Sequence, residues 1–578
     1  MSAPSPPPVL EKQAPRTAPP DEGLRRELGR WSLTAIAFGG MVGSGWLFSA
    51  YYAAQAAGPA ALLSWPVAGA AMMLVGLVLV QLGATRPRAG GMVRWPLEAN
   101  GPLVGTAIGW AVLLSVASAL AAEASAIVQY AGHYVPDLYR HGALTARGIG
   151  AAVVLLAALA LLNWFGVRLF ARVTTALTVF KFGVPLITIA VLVAAGFHPG
   201  TVEAGGGFAP YGWSAALSAV AGAGIIYTFN GFAAPIELSA EARDPRRDLP
   251  RAVITAILLA VVLYTVLQLV FVGTIPIDRL AGGWHGIDFD SPFGQLALAL
   301  NIGWLATLIY ADAVLSPTGA AGIFVASGSR ETYAAARNGV LPAFFASVHP
   351  ASGVPRRTLL ANFVLATVFL APFHGWQEII GVVGVLSLLT YAACSVAVST
   401  FRATDHEPGN GADCGLGYGA DRKLGYGADG GLGHGTDRQF PYGADHAPGH
   451  DADREAGNWR MRGMGWIAPA GFVVSTELVH WAGWHQLSTA IPLMLAALVI
   501  FAIRYRSDRD RLAIELRSGA WFLGYLLLLF VAAAAGSTGG SGLVTAPWDS
   551  VAVGAAALLV HRWGVRSGVR RAQHNRQT

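Results

Sequence analysis

Four ionisable side chains stand inside otherwise apolar stretches of this 578-residue chain: Glu123, Lys181, Glu237 and Asp312. An ionisable group at membrane depth is a functional candidate by default, because hydrocarbon penalises an unpaired charge. Lys181, in Val179-Phe180-Lys181-Phe182, is too deep for easy snorkelling, so it is placed to give up and take back a proton; Glu123, Glu237 and Asp312 are its candidate partners or relay carboxylates. Two glycine-containing stretches carry the other chemistry. Gly39, Gly40, Gly43 and Gly45 put four glycines within seven positions. Each costs a helix interior roughly 1 kcal/mol relative to alanine, so the run is expected to unwind. Amides freed at Gly43, Ser44 and Gly45, at the positive end of the outer half-helix, suit a carboxylate. The second stretch, Phe229-Asn230-Gly231-Phe232 followed by Pro235, frees carbonyls around Thr228 to Gly231 that suit an ammonium. Together the two breaks suit an α-amino acid, with Phe229 and Phe232 closing over it as an apolar lid.

The elements that position these residues are membrane spans. The chain is 54% hydrophobic and only 12% charged, about half the charge of a soluble domain. Apolar runs predict about fourteen helices long enough to cross a bilayer: 31–52, 60–83, 103–131, 147–166, 171–196, 214–238, 252–275, 294–325, 358–373, 376–400, 464–482, 486–504, 518–536 and 547–563. Arginines fall in alternate connections. Arg86, Arg88, Arg94, Arg243, Arg330, Arg337 and Arg504 belong to one set, and the other holds only Arg140, Arg147 and Arg279. This asymmetry predicts cytoplasmic termini.

The arrangement divides into a disordered N-terminal tail (1–30), a core of about ten helices (31–400), a low-complexity cytoplasmic loop (401–462), about four further helices (463–565) and a basic tail (566–578). In the loop, Asp405, Asp413, Asp421, Asp429, Asp437, Asp445 and Asp453 recur every eight residues. Calcium-binding β-helix repeats have period nine and a regular large apolar residue, so a repeat-expanded linker is the better reading. The net charge of +6 sits in short connections and implies no nucleic-acid partner. Cys394 and Cys414 supply neither a disulfide framework nor a metal site. No phosphate-binding glycine loop or hydrolytic nucleophile motif is present, so no cofactor, ATP-driven step or enzyme activity is expected.

Several motifs in order then carry a resemblance: Gly43-Ser44-Gly45-Trp46-Leu47-Phe48; Pro87-Arg88-Ala89-Gly90-Gly91-Met92-Val93-Arg94-Trp95-Pro96; Phe229-Asn230-Gly231-Phe232 followed by Glu241-Ala242-Arg243-Asp244-Pro245; and Arg337-Asn338-Gly339-Val340-Leu341-Pro342 followed by Gly353-Val354-Pro355. Over residues 28 to 400 the chain resembles the amino acid, polyamine and organocation transporter superfamily. Trp46, Arg94-Trp95-Pro96 and Asp312 followed by Ser316-Pro317 are similar to the bacterial aspartate-proton symporter group. The resemblance implies an all-α integral membrane protein of the leucine-transporter type. Such a fold has five plus five helices in inverted repeat, discontinuous first and sixth spans, and here extra C-terminal helices. It also implies a fifth-span lysine, Lys181, in the place of a sodium ion. Many members carry an acidic residue directly after the second aromatic of the sixth-span motif; here it is Ala233, with Glu237 the nearest substitute.

The expected function is secondary-active, proton-coupled import of an amino acid, aspartate first, across the cytoplasmic membrane. Its expected partners are the amino acid, protons and the lipid bilayer. An exchanger on the same fold and a non-transporting amino acid sensor are the alternatives.

Overall fold

The computed structural model describes residues 27–87, 90–164, 167–349, 354–373, 375–405, 461–506 and 509–577. Most of the N-terminal tail, the octad repeat beyond Asp405, Arg88 and Gly353 lie outside them. Nineteen α-helices follow in order among the described residues: α1 Arg30–Met41, α2 Gly45–Ala57, α3 Ala61–Thr85, α4 Gly91–Asn100, α5 Pro102–Ala131, α6 Ala146–Trp164, α7 Val167–Gly196, α8 Trp213–Gly222, α9 Ile225–Phe229, α10 Ala234–Glu237, α11 Pro245–Thr274, α12 Pro292–Ala299, α13 Gly303–Arg337, α14 Arg356–Phe369, α15 Trp376–Thr404, α16 Met464–Trp481, α17 Gly483–Tyr505, α18 Arg509–Ala535 and α19 Trp548–Gln577. A two-residue hairpin pairs Tyr139–Arg140 with Ala143–Leu144, so helices carry the architecture and not all of the regular structure.

Among the described residues eight helices are long and apolar enough to span a bilayer, with Gly45–Thr85 counted as one; a bent pair, Trp213–Gly222 with Ile225–Glu237, makes nine. Fewer than fourteen pass because several expected spans are short or broken. The first is two helices of 12 and 13 residues, and α14 has 14 residues, a rise of about 21 Å against roughly 30 Å of hydrocarbon. The expected span 294–325 is divided. Residues 292–299 form α12, Asn301 turns the chain with φ +58°, and α13 then runs on to Arg337, well past the expected end. The basic stretch after 565 is likewise no separate tail, since α19 continues through it to Gln577.

α5 and α15 form the centre of the bundle, with α13 along α5 and α11 along α3. The apolar stretch of α15 is wholly enclosed, whereas most of α6 is not; Val154 and Leu161 on α6, and Leu258 and Val262 on α11, are among the exposed large apolar residues. That is the pattern of an inner helix surrounded by lipid-facing ones. The C-terminal helices dock on the core: α16 packs on α15 and α3, and α19 on α16, α15 and α4. Polar ties secure them, Asn100 Nδ2 donating to the Gly564 carbonyl at 3.0 Å and Arg571 pairing with Glu515.

Candidate functional site

The first span breaks where its glycines cluster. The last turn of α1 closes with Val42 N–H on the Phe38 carbonyl, Gly43 N–H turns back to the Met41 carbonyl at 3.2 Å, and α2 starts at Gly45. The amides of Gly45 and Trp46 take no backbone acceptor among the described residues. The positive end expected over Gly43 to Gly45 is thus narrower than the sequence suggested. The Ser44 amide is already occupied, donating at 3.0 Å to Glu123 Oε2. Glu123 Oε1 accepts the Tyr227 hydroxyl at 2.6 Å. Gly43 is needed for this approach, since a Cβ there would sit 2.7 Å from Glu123 Oε1 and 2.8 Å from the Ala320 Cβ.

The other side of the break holds the lysine. Lys181 Nζ donates at 2.6 Å to the Gly39 carbonyl, and the Tyr264 hydroxyl donates at 2.9 Å to that of Met41. Carbonyls at a helix C-terminus carry negative partial charge, so a cation there is stabilised as an anion is on the facing amides. Lys181 is fully buried, and both Glu123 and Asp312 act on it electrostatically. Asp312 Oδ2 accepts from Trp46 Nε1 at 3.1 Å and from Ser316 at 2.8 Å; its Oδ1 has no partner. Three of the four predicted ionisable groups therefore gather around the first break. Glu237 does not join them.

The sixth span is broken earlier than expected. Its 53° bend falls between Gly222 and Ile225, at Gly224 with φ +79°, a left-handed conformation that favours glycine. Residues Asn230–Ala233 tighten into a 3₁₀ turn. Pro235 opens α10, where its missing N–H costs nothing. Gly231 serves proximity instead: a Cβ there would lie 2.2 Å from Gly40 C and Met41 N, so the two broken spans cross backbone to backbone. Gly45 is pressed similarly against Thr228 Oγ1, at 2.4 Å from a would-be Cβ.

The aromatic lid is not formed. Phe229 packs against Trp65 and Tyr264, and Phe232 tilts against Tyr391. The face of the sixth span that meets a cavity carries Tyr227, Asn230, Ala233 and Glu237 instead. Asn230 Nδ2 donates to Ser387 at 2.9 Å, and its Oδ1 accepts from Tyr391 at 3.2 Å. This cavity, about 60 Å³, shares Glu237, Ser327 and Glu331 with a second one of about 290 Å³ that Arg94, Arg330 and Arg337 also line.

Sequence reading missed Tyr227, Ser387 and Glu331. Glu331 lies beyond the expected end of the eighth span at 325, outside every expected span. The Ser44 hydroxyl accepts from Trp376 Nε1 at 2.7 Å. At the end bearing Arg330, the connector after the sixth span is tied down. Glu241 pairs with Arg330 at 2.7 Å, Asp244 caps α11, and Leu28 bridges to Ala242.

Known proteins resemble this chain in sequence. The family described as amino acid permease matches residues 28–419. The chain is 33% identical to the glutamate/serine transporter AimA of Bacillus subtilis, over 94% of each chain. It is 30% identical to the aspartate-proton symporter of the same organism, over 95% of this chain and 98% of that one. It is also 30% identical to the human cationic amino acid transporter 4, over 67% of this chain and 61% of the other. The chain belongs to the amino acid permease family of the amino acid, polyamine and organocation superfamily, and is a membrane amino acid transporter rather than an enzyme.

Proposed function

We propose that the protein is a proton-coupled symporter that imports amino acids, acidic ones foremost, across the cytoplasmic membrane by alternating access. Its core is read as a five-plus-five inverted repeat with interrupted first and sixth spans, and its termini as cytoplasmic. The observation that carries the reading is that one break holds both charges: Lys181 on the Gly39 carbonyl and Glu123 on the Ser44 amide. A transporter whose titratable pair is hydrogen-bonded to its hinge can link proton movement to helix movement.

The α-carboxylate of a substrate fits the remaining amides of Gly45 and Trp46, beside Glu123. Two carboxylates at one helix end repel, and a proton taken up with the substrate removes that repulsion. The sign is that of symport: substrate and proton favour each other's binding. Lys181 reports the change to α1, because its bond to Gly39 O depends on the charges of Glu123 and Asp312 nearby. The arginine asymmetry supports the orientation, since Arg94, Arg330 and Arg337 line one vestibule. The acidic preference rests on the two bacterial relatives, a glutamate/serine transporter and an aspartate-proton symporter.

The test is uptake of a panel of labelled amino acids into proteoliposomes with imposed proton or sodium gradients. Accumulation of an acidic amino acid driven by an inward proton gradient, and indifferent to sodium, is expected. Uptake only against an internal amino acid would make the protein an exchanger. Binding without flux would make it a sensor.

A further inference from the structure

Glu331 is an anomaly that the first break does not explain. It is 2% exposed, its Oε1 has no hydrogen-bond partner, and it lines both cavities together with Glu237. The Met92 amide and the neighbouring carboxylate of Glu237 both act on its carboxyl group. A buried carboxylate oxygen left unpaired costs free energy that a bonded donor would recover. With Glu237 and Ser327, Glu331 makes the wall common to the cavity beside Asn230 and the larger vestibule.

The surrounding charges sharpen the question. No Arg, Lys or His is among the described residues lining the upper cavity, whose titratable groups are Tyr227, Tyr391, Glu237 and Glu331, with Cys394 acting on Glu331 from α15. The vestibule adds Arg94, Arg330, Arg337, Glu241 and Tyr333, but Arg94 pairs with Glu98 at 2.7 Å and Arg330 with Glu241. A dicarboxylic amino acid moving from the central cavity toward the arginines must therefore pass two carboxylates with no cation at the crossing. Unprotonated, the pair repels it; carrying a proton, the pair donates a hydrogen bond to it.

We propose that Glu237 and Glu331 form a proton-sharing throat that passes a dicarboxylic amino acid only when the pair holds a proton, so an acidic side chain crosses with a proton of its own. The proposal rests on the amino acid transport reading and deepens it. The proton moves from water to one carboxylate oxygen of the pair, bonds the side-chain carboxylate of the substrate, and returns to water in the vestibule. No covalent bond of the substrate changes. A side chain without charge needs no such proton.

Uptake by the full-length protein in proteoliposomes, with the same pH on both sides, tests this, with radiolabelled aspartate and serine as probes across about pH 6 to about pH 8. The ratio of aspartate to serine uptake rate should fall as pH rises, by up to about tenfold per pH unit, the limit for one linked proton. In Glu331→Gln, which keeps the shape and a donor but cannot titrate, the ratio should lose most of its pH slope. Glu237→Gln should do the same, and it serves if the buried Glu331 variant does not fold. A ratio that is flat in the unmodified protein, or a slope that persists in both variants, overturns the throat while leaving amino acid transport standing. Uptake of neither probe nor of any other labelled amino acid overturns both.

Discussion

The two breaks look alike in sequence and differ in what their glycines do. In the first span, the glycines at 43 and 45 have ordinary backbone angles, and what they supply is room, for Glu123 and for Thr228. In the sixth span the roles are divided. Gly224 supplies a conformation, with φ +79° at the 53° bend, whereas Gly231 supplies contact, with Gly40 and Met41 backbone against it. A glycine count locates a weak point in a helix. It does not say whether the residue is there to turn the chain or to let another chain segment approach.

That distinction can be broken most severely at Gly231. Gly231→Ala places a methyl against backbone that has nowhere to go, and we expect a loss of about 3 kcal/mol or more, read as a fall in thermal stability of the detergent-solubilised protein. Gly224→Ala should cost less. Its methyl meets Ile380 Cδ1 and Trp376, side chains that can shift, plus about 1 kcal/mol for the left-handed backbone. A larger loss at Gly224 than at Gly231 would reverse the assignment of roles.

The charges divide the same way as the glycines. Around the first break Glu123, Lys181 and one oxygen of Asp312 are hydrogen-bonded, two of them to the backbone ends of the break itself. Between the two cavities, Glu331 keeps a buried oxygen without a hydrogen-bond partner. Bonded charges act on the protein, and unbonded ones on whatever passes.

Tyr227→Phe probes the bonded set. It removes a 2.6 Å hydrogen bond to a buried carboxylate, a loss of about 2 kcal/mol, expected to weaken transport by more than about tenfold without loss of protein from the membrane. Ser44→Ala should be milder, about 1 kcal/mol, since it removes the acceptor for Trp376 but leaves the amide that holds Glu123; uptake kinetics compare the two. An effect of Ser44→Ala exceeding that of Tyr227→Phe would place the hydroxyl, not the amide, at the centre of the site. Smallest of all should be Arg330→Gln. Its ion pair with Glu241 is half-exposed, such pairs contribute about 0 to 1 kcal/mol, and transport rate should change by less than about threefold.

Much of the frame was legible before any coordinates. Lys181 and Glu123 stood out because an apolar run has few reasons to carry a charge, and the first break because four glycines fall within one turn or two. Their partners were not legible. Which carboxylate meets the lysine depends on how α5, α7 and α13 pack, and periodicity within one helix carries no information about that. Gly224 was passed over because Pro235 is the louder local signal, yet a proline in the first turn of a helix breaks nothing. Glu331 was lost to a boundary: the eighth span runs 12 residues past its expected end at 325, so the residue fell outside every expected span. The helix through Arg571 was missed for the opposite reason, since its basic residues suggested solvent while Arg571 is paired with Glu515 on α18.

The central claim is that the first break and the proton site are one device, and Lys181→Met tests it most directly. Reconstituted in proteoliposomes, the variant should still exchange labelled substrate for unlabelled substrate at equilibrium, because the amides of Gly45 and Trp46 and the side chain of Asn230 remain. It should lose accumulation driven by an inward proton gradient, because the group that ties charge to the Gly39 carbonyl is gone. Full gradient-driven accumulation by Lys181→Met would contradict the account, since the carboxylates of Glu123 and Asp312 would then couple the proton without the lysine.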